Sequence, residues 1–67
     1  MMRIRVNGDS LEVEAGLTAA ALLERLQLGT ERVAVAINGR VVPRGELPGT
    51  PLAEADEIEV IHAVAGG

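Results

Sequence analysis

Cysteine, lysine and all three aromatic residue types are absent from this chain of 67 residues, which contains a single histidine, His62. Without cysteine the chain cannot form a disulfide, a thiolate zinc site or a thiol nucleophile, and one histidine cannot build a metal cluster. The only serine, Ser10, is far along the chain from His62, so we expect no serine nucleophile with an oriented base. We therefore predict that the chain has no catalytic residues and binds no metal.

Charge and hydropathy exclude two kinds of partner. The formal net charge is −4, whereas binding nucleic acid requires cationic grooves and usually aromatic stacking platforms. No apolar run approaches the roughly 18 residues of a membrane span, and the N-terminus lacks the charged, apolar and small-residue order of a signal peptide. We expect a cytoplasmic protein that binds neither nucleic acid nor membrane.

Two Asn-Gly pairs, Asn7-Gly8 and Asn38-Gly39, each separate two short runs of apolar residues. The apolar residues around the first pair are Met2, Ile4, Val6, Leu11 and Val13, and those around the second are Val33, Val35, Ile37, Val41 and Val42. Asn-Gly is typical of a two-residue hairpin turn, so the sequence predicts two β-hairpins. In the first, the arginines of one strand and the glutamates of the next would share the solvent face, which favours cross-strand ion pairs.

Residues 19–28 are predicted to form an α-helix. Thr18 is a suitable N-cap, and Leu17 and Leu22 have the spacing of a hydrophobic staple. Gly29 follows the helix where a left-handed C-terminal cap is expected. We expect one apolar stripe of the helix to pack on the first hairpin, and its residues are Ala19, Leu22, Leu23 and Leu26.

The order of predicted elements is strand, strand, helix, strand, strand, strand, in a single domain of residues 1–67. Residues 44–56 are rich in proline and glycine, and we predict a surface loop there with no long regular element and with Leu47 and Leu52 as buried anchors. The first and last strands can pair in parallel at the centre, because the elements between them supply the long crossover. The fold class is therefore α+β, a β-grasp with a mixed sheet packed on one helix.

The final strand runs directly into a tail of small residues. Glycine has no Cβ, so Gly66 and Gly67 can lie extended in a channel that is too narrow for other residues. We predict that the flexible tail threads into a partner protein through Ala65, Gly66 and Gly67, and that the partner interface includes Ile61, His62, Ala63 and Val64. Ile61 has the solvent-side parity of Glu57 and Glu59. A lone histidine at a strand end is more often a surface residue than a functional one.

Four segments carry a resemblance to a known family. They are Ala36-Ile37-Asn38-Gly39, Val41-Val42-Pro43-Arg44, the acidic turn Asp56-Glu57, and the ending Val64-Ala65-Gly66-Gly67. With them the chain resembles the small ubiquitin-like sulfur carriers, most closely those of thiamine biosynthesis. It departs from the family pattern at Ala55, where a glycine often lies, and in lacking an aromatic residue that often precedes the tail.

The resemblance implies a ubiquitin-like β-grasp fold and a sulfur carrier that is a cosubstrate, not an enzyme. A ubiquitin-activating-like adenylyltransferase would use ATP and magnesium to adenylate the carboxylate of Gly67. A sulfur donor, such as a cysteine desulfurase or related persulfide protein, would then displace AMP and leave a thiocarboxylate. Thiazole synthase would take the sulfur into the thiazole ring of thiamine, and the chain itself would bind no cofactor.

Two alternatives remain open from the sequence. A carrier for molybdopterin synthesis or for tRNA thiolation has the same fold and ending, and only the internal segments of residues 36–44 argue against it. A noncatalytic ubiquitin-like binding module would instead dock through its sheet, and its tail would have no role.

Overall fold

Strands and helix follow the predicted order in the computed structural model, which describes residues 1–29 and 33–62. The elements within these residues are β1 (Met2–Val6), β2 (Asp9–Val13), α1 (Ala19–Arg25), β3 (Val33–Ile37), β4 (Arg40–Val42) and β5 (Glu57–His62). The sheet has the strand order β2-β1-β5-β3-β4. Strands β1 and β5 run parallel at its centre, and the other neighbouring strands are antiparallel. The predicted mixed β-grasp sheet is confirmed.

Both hairpins turn at the predicted Asn-Gly pairs. Asn7 and Asn38 each have a φ of 52°, and Gly8 and Gly39 have φ values of 89° and 83°. Two successive residues with positive φ form the two-residue turn whose twist matches that of the flanking strands. Val6 pairs with Asp9 across the first turn, and Ile37 pairs with Arg40 across the second. Each turn therefore sets the register of its hairpin.

One apolar core lies between the inner face of the sheet and α1. Its most completely buried side chains are Ile4, Val13, Leu22, Leu23, Leu47 and Ile58. No polar or charged residue is buried in the described part of the chain. The core is therefore stabilised by apolar burial, without a buried polar network to satisfy.

The start of α1 is capped as predicted. The Thr18 hydroxyl oxygen accepts a hydrogen bond from the backbone N–H of Ala21 at 3.1 Å. Leu17 and Leu22 are both buried in the core, as a hydrophobic staple requires. Of the predicted apolar stripe, Leu26 is only partly buried.

The end of α1 differs from the prediction. The helix ends at Arg25, not at residue 28, and the left-handed residue is Gln27, with a φ of 63°, not Gly29. The N–H of Gln27 donates to the Glu24 carbonyl oxygen at 2.9 Å, and the N–H of Leu28 donates to the Leu23 carbonyl oxygen at 2.8 Å. This is a Schellman motif, in which Leu28 folds back onto the core and offsets the unfavourable conformation of Gln27.

The segment predicted as a loop contains a short 3₁₀ helix, Arg44–Gly49. Leu47 and Leu52 are buried, as predicted. Backbone hydrogen bonds join the segment to the start of α1: Ala19 N–H donates to the Thr50 carbonyl oxygen at 2.9 Å, and Leu52 N–H donates to the Leu17 carbonyl oxygen at 2.8 Å. The sequence analysis missed this 3₁₀ helix because its stability depends on packing against α1.

Three surface ion pairs occur in the described part of the chain, and one of them joins the two strands of the first hairpin. Arg3 pairs with Glu12 across the hairpin at 3.2 Å, as expected. Arg5 lies opposite Ser10 and is 4.0 Å from Glu57 of β5. Glu14, which follows β2, extends instead to α1, where Arg25 donates a 2.7 Å hydrogen bond to its carboxylate. All three pairs are exposed, so each contributes little to stability.

Candidate functional site

Strand β5, which leads to the C-terminal residues, lies in the middle of the sheet. It lies between β1 and β3, and its last residue, His62, is opposite Val33 of β3. The predicted threading residues 65–67 and the interface residues Ala63 and Val64 lie outside the described residues. The structure therefore places the point from which the tail leaves, which is the end of a central strand.

Ile61 lies on the outer face of the sheet, the face away from α1, and is 55% exposed. Three other apolar residues lie near it on that face, and together they form the outer apolar patch, defined as Ala34, Ala36, Val41 and Ile61. In the register, Ala34 is opposite Ile61 and Ala36 is opposite Val41. The small side chains of the two alanines therefore leave a shallow depression on β3, between the larger apolar side chains of Ile61 on β5 and Val41 on β4. The predicted solvent exposure of Ile61 is confirmed.

Val41 is a member of this patch that the sequence analysis did not identify. It is 68% exposed, and the sequence predicts its strand without assigning its face. A signal was present, because the two-residue turn at Asn38-Gly39 places Val41 opposite Ala36. Ala36 is itself buried but does not belong to the core cluster, since it lies on the outer face between Val41 and Glu59.

The outer face of the sheet is charged on one side and apolar on the other. The side formed by β2, β1 and the start of β5 carries charged residues in ion pairs, whereas the side formed by β3, β4 and the end of β5 is apolar. Glu59 lies at the boundary, opposite Ala36, and makes no ion pair with any of the described residues. The patch therefore combines an apolar surface with an adjacent carboxylate that has no ion-pair partner within residues 1–29 and 33–62.

His62 is not part of the outer apolar patch. Successive side chains of a strand point to opposite faces, so His62 has the parity of the core residues Ile58 and Val60, although at the strand end it is exposed. The structure thus separates the two interface residues predicted on β5, Ile61 and His62, onto opposite faces.

The two hairpin asparagines hold β5 through their side chains, which the sequence analysis did not predict. Asn7 Oδ1 accepts from the Val60 N–H at 2.9 Å, and Asn7 Nδ2 donates to the Val60 carbonyl oxygen at 3.3 Å. Asn38 Oδ1 accepts from the Glu57 N–H at 3.0 Å, and its Nδ2 donates to Asp56 Oδ1 at 2.9 Å. Each turn therefore fixes a different point along the strand that leads to the tail.

Residues 1–29 and 33–62 contain neither a metal-binding cluster nor a helix that could span a membrane. No group of three or more histidine, cysteine, aspartate or glutamate residues there has a geometry that would hold a metal ion. None of the helices in this part of the chain is long and apolar enough to cross a membrane.

A central C-terminal strand, one covering helix and two hairpins define a ubiquitin-like β-grasp domain. Comparison with known proteins supports this class and narrows it. A crystal structure of a thiamine biosynthesis protein, ThiS, from Geobacter metallireducens matches with a TM-score of 0.85 at 30% identity, over 98% of this chain and 100% of that one. The sequence model described as the ThiS family matches residues 4–67. The chain belongs to the ThiS family.

The relatives of this chain include a protein of about the same length and a much longer one. The sulfur carrier protein ThiS of Escherichia coli is 33% identical over 66 residues, which cover 98% of this chain and 100% of that protein. A thiazole synthase of Magnetococcus marinus is 44% identical over 66 residues, which cover 98% of this chain but 20% of that protein. The chain thus spans a fifth of the length of that synthase.

Proposed function

We propose that this chain is a sulfur carrier of thiamine biosynthesis and a protein cosubstrate, not an enzyme. The observation that carries the proposal is the match to the Escherichia coli sulfur carrier protein ThiS over 98% of this chain and 100% of that protein. The fold is compatible with such a role, because β5 pairs with β1 at its start and with β3 from Ile58 to His62, and it ends where the small residues of the tail begin in the sequence.

The proposed chemistry takes place at the carboxylate of Gly67. A carboxylate is a poor electrophile, so a partner adenylyltransferase first uses ATP and magnesium to join the carboxylate oxygen to the α-phosphorus, and pyrophosphate leaves. A sulfur nucleophile then attacks the carbonyl carbon and AMP leaves. Where the donor is a persulfide, a thiol reductant cleaves the resulting sulfur–sulfur bond, and the carrier keeps a thiocarboxylate. Because the chain has no cysteine, this carbonyl is its place to carry sulfur.

The tail has enough length for this reaction to occur inside a partner. Five residues, 63–67, follow the end of β5, and fully extended they span at most roughly 16 Å, at about 3.3 Å a residue. Small side chains suit a narrow passage over that distance. In this proposal the folded domain docks at the surface while Gly67 reaches the active site.

Thiazole synthase is the sulfur acceptor in this proposal. The Magnetococcus marinus thiazole synthase supports it, because that protein contains a segment similar to this chain and so joins a carrier-like domain to a synthase in one polypeptide. The donor would be a cysteine desulfurase or a related persulfide protein. We propose that the whole cycle takes place in the cytoplasm.

Pyrophosphate exchange into ATP tests the carrier mechanism. In the native chain, the Gly67 carboxylate must meet the α-phosphate, and misplacement by about 1 Å can lower a rate roughly 10²-fold. One alanine appended after Gly67 moves the carboxylate by about 3.3 Å, and Gly67→Val adds a branched side chain in the passage. Both variants should lose exchange and thiocarboxylate formation while their melting curves stay unchanged. Equal exchange by the native and extended chains would contradict the mechanism. A binding module would dock in every form and support no exchange.

The outer apolar patch is the proposed docking surface for the adenylyltransferase. Ile61 lies beside the start of the tail, and Glu59 supplies a charge for a basic group of the partner. Ile61→Asp should weaken binding in a titration and leave the domain folded. Ser10→Asp is a matched control, because it adds the same charge to an exposed position of β2, away from the patch. Equal affinities for both variants would remove Ile61 from the interface.

A further inference from the structure

Strand β5 loses its neighbour on one side before it reaches the tail. On the β1 side, the paired residues end at Val6, opposite Ile58. On the β3 side, pairing continues as far as His62, opposite Val33. Among the described residues, positions 59–62 thus have a neighbouring strand on one side only, and these are the residues from which the tail leaves.

The Asn7 side chain takes the place of the missing strand. The backbone N–H of Asn7 donates to the Ile58 carbonyl oxygen at 2.9 Å. Its side-chain amide then accepts from the N–H of Val60 at 2.9 Å and donates to the Val60 carbonyl oxygen at 3.3 Å. An amide group has the donor and acceptor of a peptide unit, so the side chain continues the hydrogen-bonding ladder beyond the end of β1.

We infer that Asn7 is a positioning residue that fixes the end of β5 and thereby the starting point of the tail. This inference rests on the proposed function. Val60 lies between the core-packed start of β5 and the residues that lead away, and both its backbone groups are held by Asn7. These bonds are partly buried, so water competes with them less than at an open edge. Without them, positions 59–62 would depend on β3 alone.

Asn38 provides a matched control within the same chain. It occupies the equivalent place in the other hairpin, has the same φ of 52°, and also binds β5 through its side chain. Its partner is the N–H of Glu57 at the start of β5, the end away from the tail. Loss of the Asn38 side chain should therefore loosen the strand without displacing its exit.

Glycine substitution at each position removes the side-chain bonds and keeps the turn, since glycine readily adopts positive φ. In pyrophosphate exchange with the adenylyltransferase, Asn7→Gly should lower kcat by at least about 10-fold, because a small displacement of a reacting group has a large effect on rate. Asn38→Gly should stay within about twofold of the native kcat. Asn7→Asp keeps the acceptor for the Val60 N–H but loses the donor, so its rate should fall between those of the native chain and Asn7→Gly.

Amide hydrogen exchange separates positioning from a general loss of stability. Ile61 is paired with Ala34 of β3 and makes no bond to Asn7, so its N–H should exchange faster in Asn7→Gly only if the end of β5 has loosened. Asn38→Gly should leave exchange at Ile61 unchanged.

Four outcomes would overturn the inference. Equal kcat for the two glycine variants, or losses of activity that follow their melting temperatures, would reduce Asn7 to a structural residue. Unchanged hydrogen exchange at Ile61 in Asn7→Gly would show that the strand end does not depend on this side chain. Failure of the native chain itself to support exchange would instead reject the proposed function, and the inference with it.

Discussion

Ala55 adopts a left-handed backbone conformation, with a φ of 70°, in the acidic turn before β5. The turn is closed by the Asp56 N–H, which donates to the Ala53 carbonyl oxygen at 3.1 Å, and by Asp56 Oδ2, which accepts from the Ala53 N–H at 2.8 Å. The Ala55 N–H also donates to the Arg3 carbonyl oxygen at 2.8 Å. These bonds hold a residue with a Cβ in a conformation that favours glycine.

We predict that Ala55→Gly stabilises the domain by about 0.5–1 kcal/mol. The left-handed conformation is unfavourable for alanine by roughly 1–2 kcal/mol. Glycine relieves this strain, but its greater freedom in the unfolded chain offsets about 0.5–1 kcal/mol of the gain. The alanine side chain is exposed, so its removal takes no apolar contact from the core. In a domain of this size the net gain corresponds to a rise in Tm of roughly 2–8 °C.

Thermal unfolding followed by circular dichroism measures this change. Ala53→Gly is the control, because Ala53 is exposed in the same turn but does not have a positive φ. Glycine there adds freedom to the unfolded chain without relieving strain, and should lower stability by roughly 0.4–1 kcal/mol. A loss of stability at position 55 similar to that at position 53 would refute the argument from backbone strain.

Three further predictions concern the core, the surface and the tail. Leu22→Ala should lower the free energy of unfolding by about 2–5 kcal/mol in urea denaturation, and Leu26→Ala by roughly half as much, because Leu26 is only partly buried; equal losses would contradict this packing. The hydrogen bond from Arg25 lowers the pKa of Glu14, so the stability that this pair contributes is present above the usual glutamate value of 4.5 and is lost as the pH falls through the lowered pKa. Stability curves of Glu14→Gln should lack this loss at acid pH, and a curve parallel to that of the native chain would show that the pair has no effect. Deletion of residues 66–67 should leave Tm unchanged, since two glycines bury almost no apolar surface; a marked fall would mean that the tail is packed.

Features that depend on neighbouring residues were predictable. The Asn-Gly pairs placed both hairpin turns, because two positive φ values suit those residues and few others. Thr18 and the Leu17–Leu22 staple identified the start of α1 for a similar reason, since capping joins residues within one turn. Alternation along β5 also gave Ile61 its exposed face.

Contacts between particular distant residues were not predictable in this way, although the parallel pairing of β1 and β5 was, from the long crossover between them. The helix ends early because Leu28 packs on a core assembled from the whole chain, so Gln27 rather than Gly29 takes the left-handed position. Arg5 meets Glu57 because β5 lies beside β1, a neighbour that is 52 positions away in the sequence. The 3₁₀ helix likewise depends on α1, because its Leu47 is buried in the core that α1 covers and the residues just after it, Thr50 and Leu52, hydrogen-bond to the start of α1.

The candidate site shows the same division between local and distant causes. The composition of the tail and the parity of Ile61 can be read from the last ten residues, because backbone sterics and strand alternation act over a few residues. The outer apolar patch and the hold of Asn7 on Val60 depend on the strand order. That order brings β3 and β4 beside β5, and it joins two residues separated by 53 positions. Chain folding sets these contacts, because the burial of the inner face as one core determines which strands become neighbours.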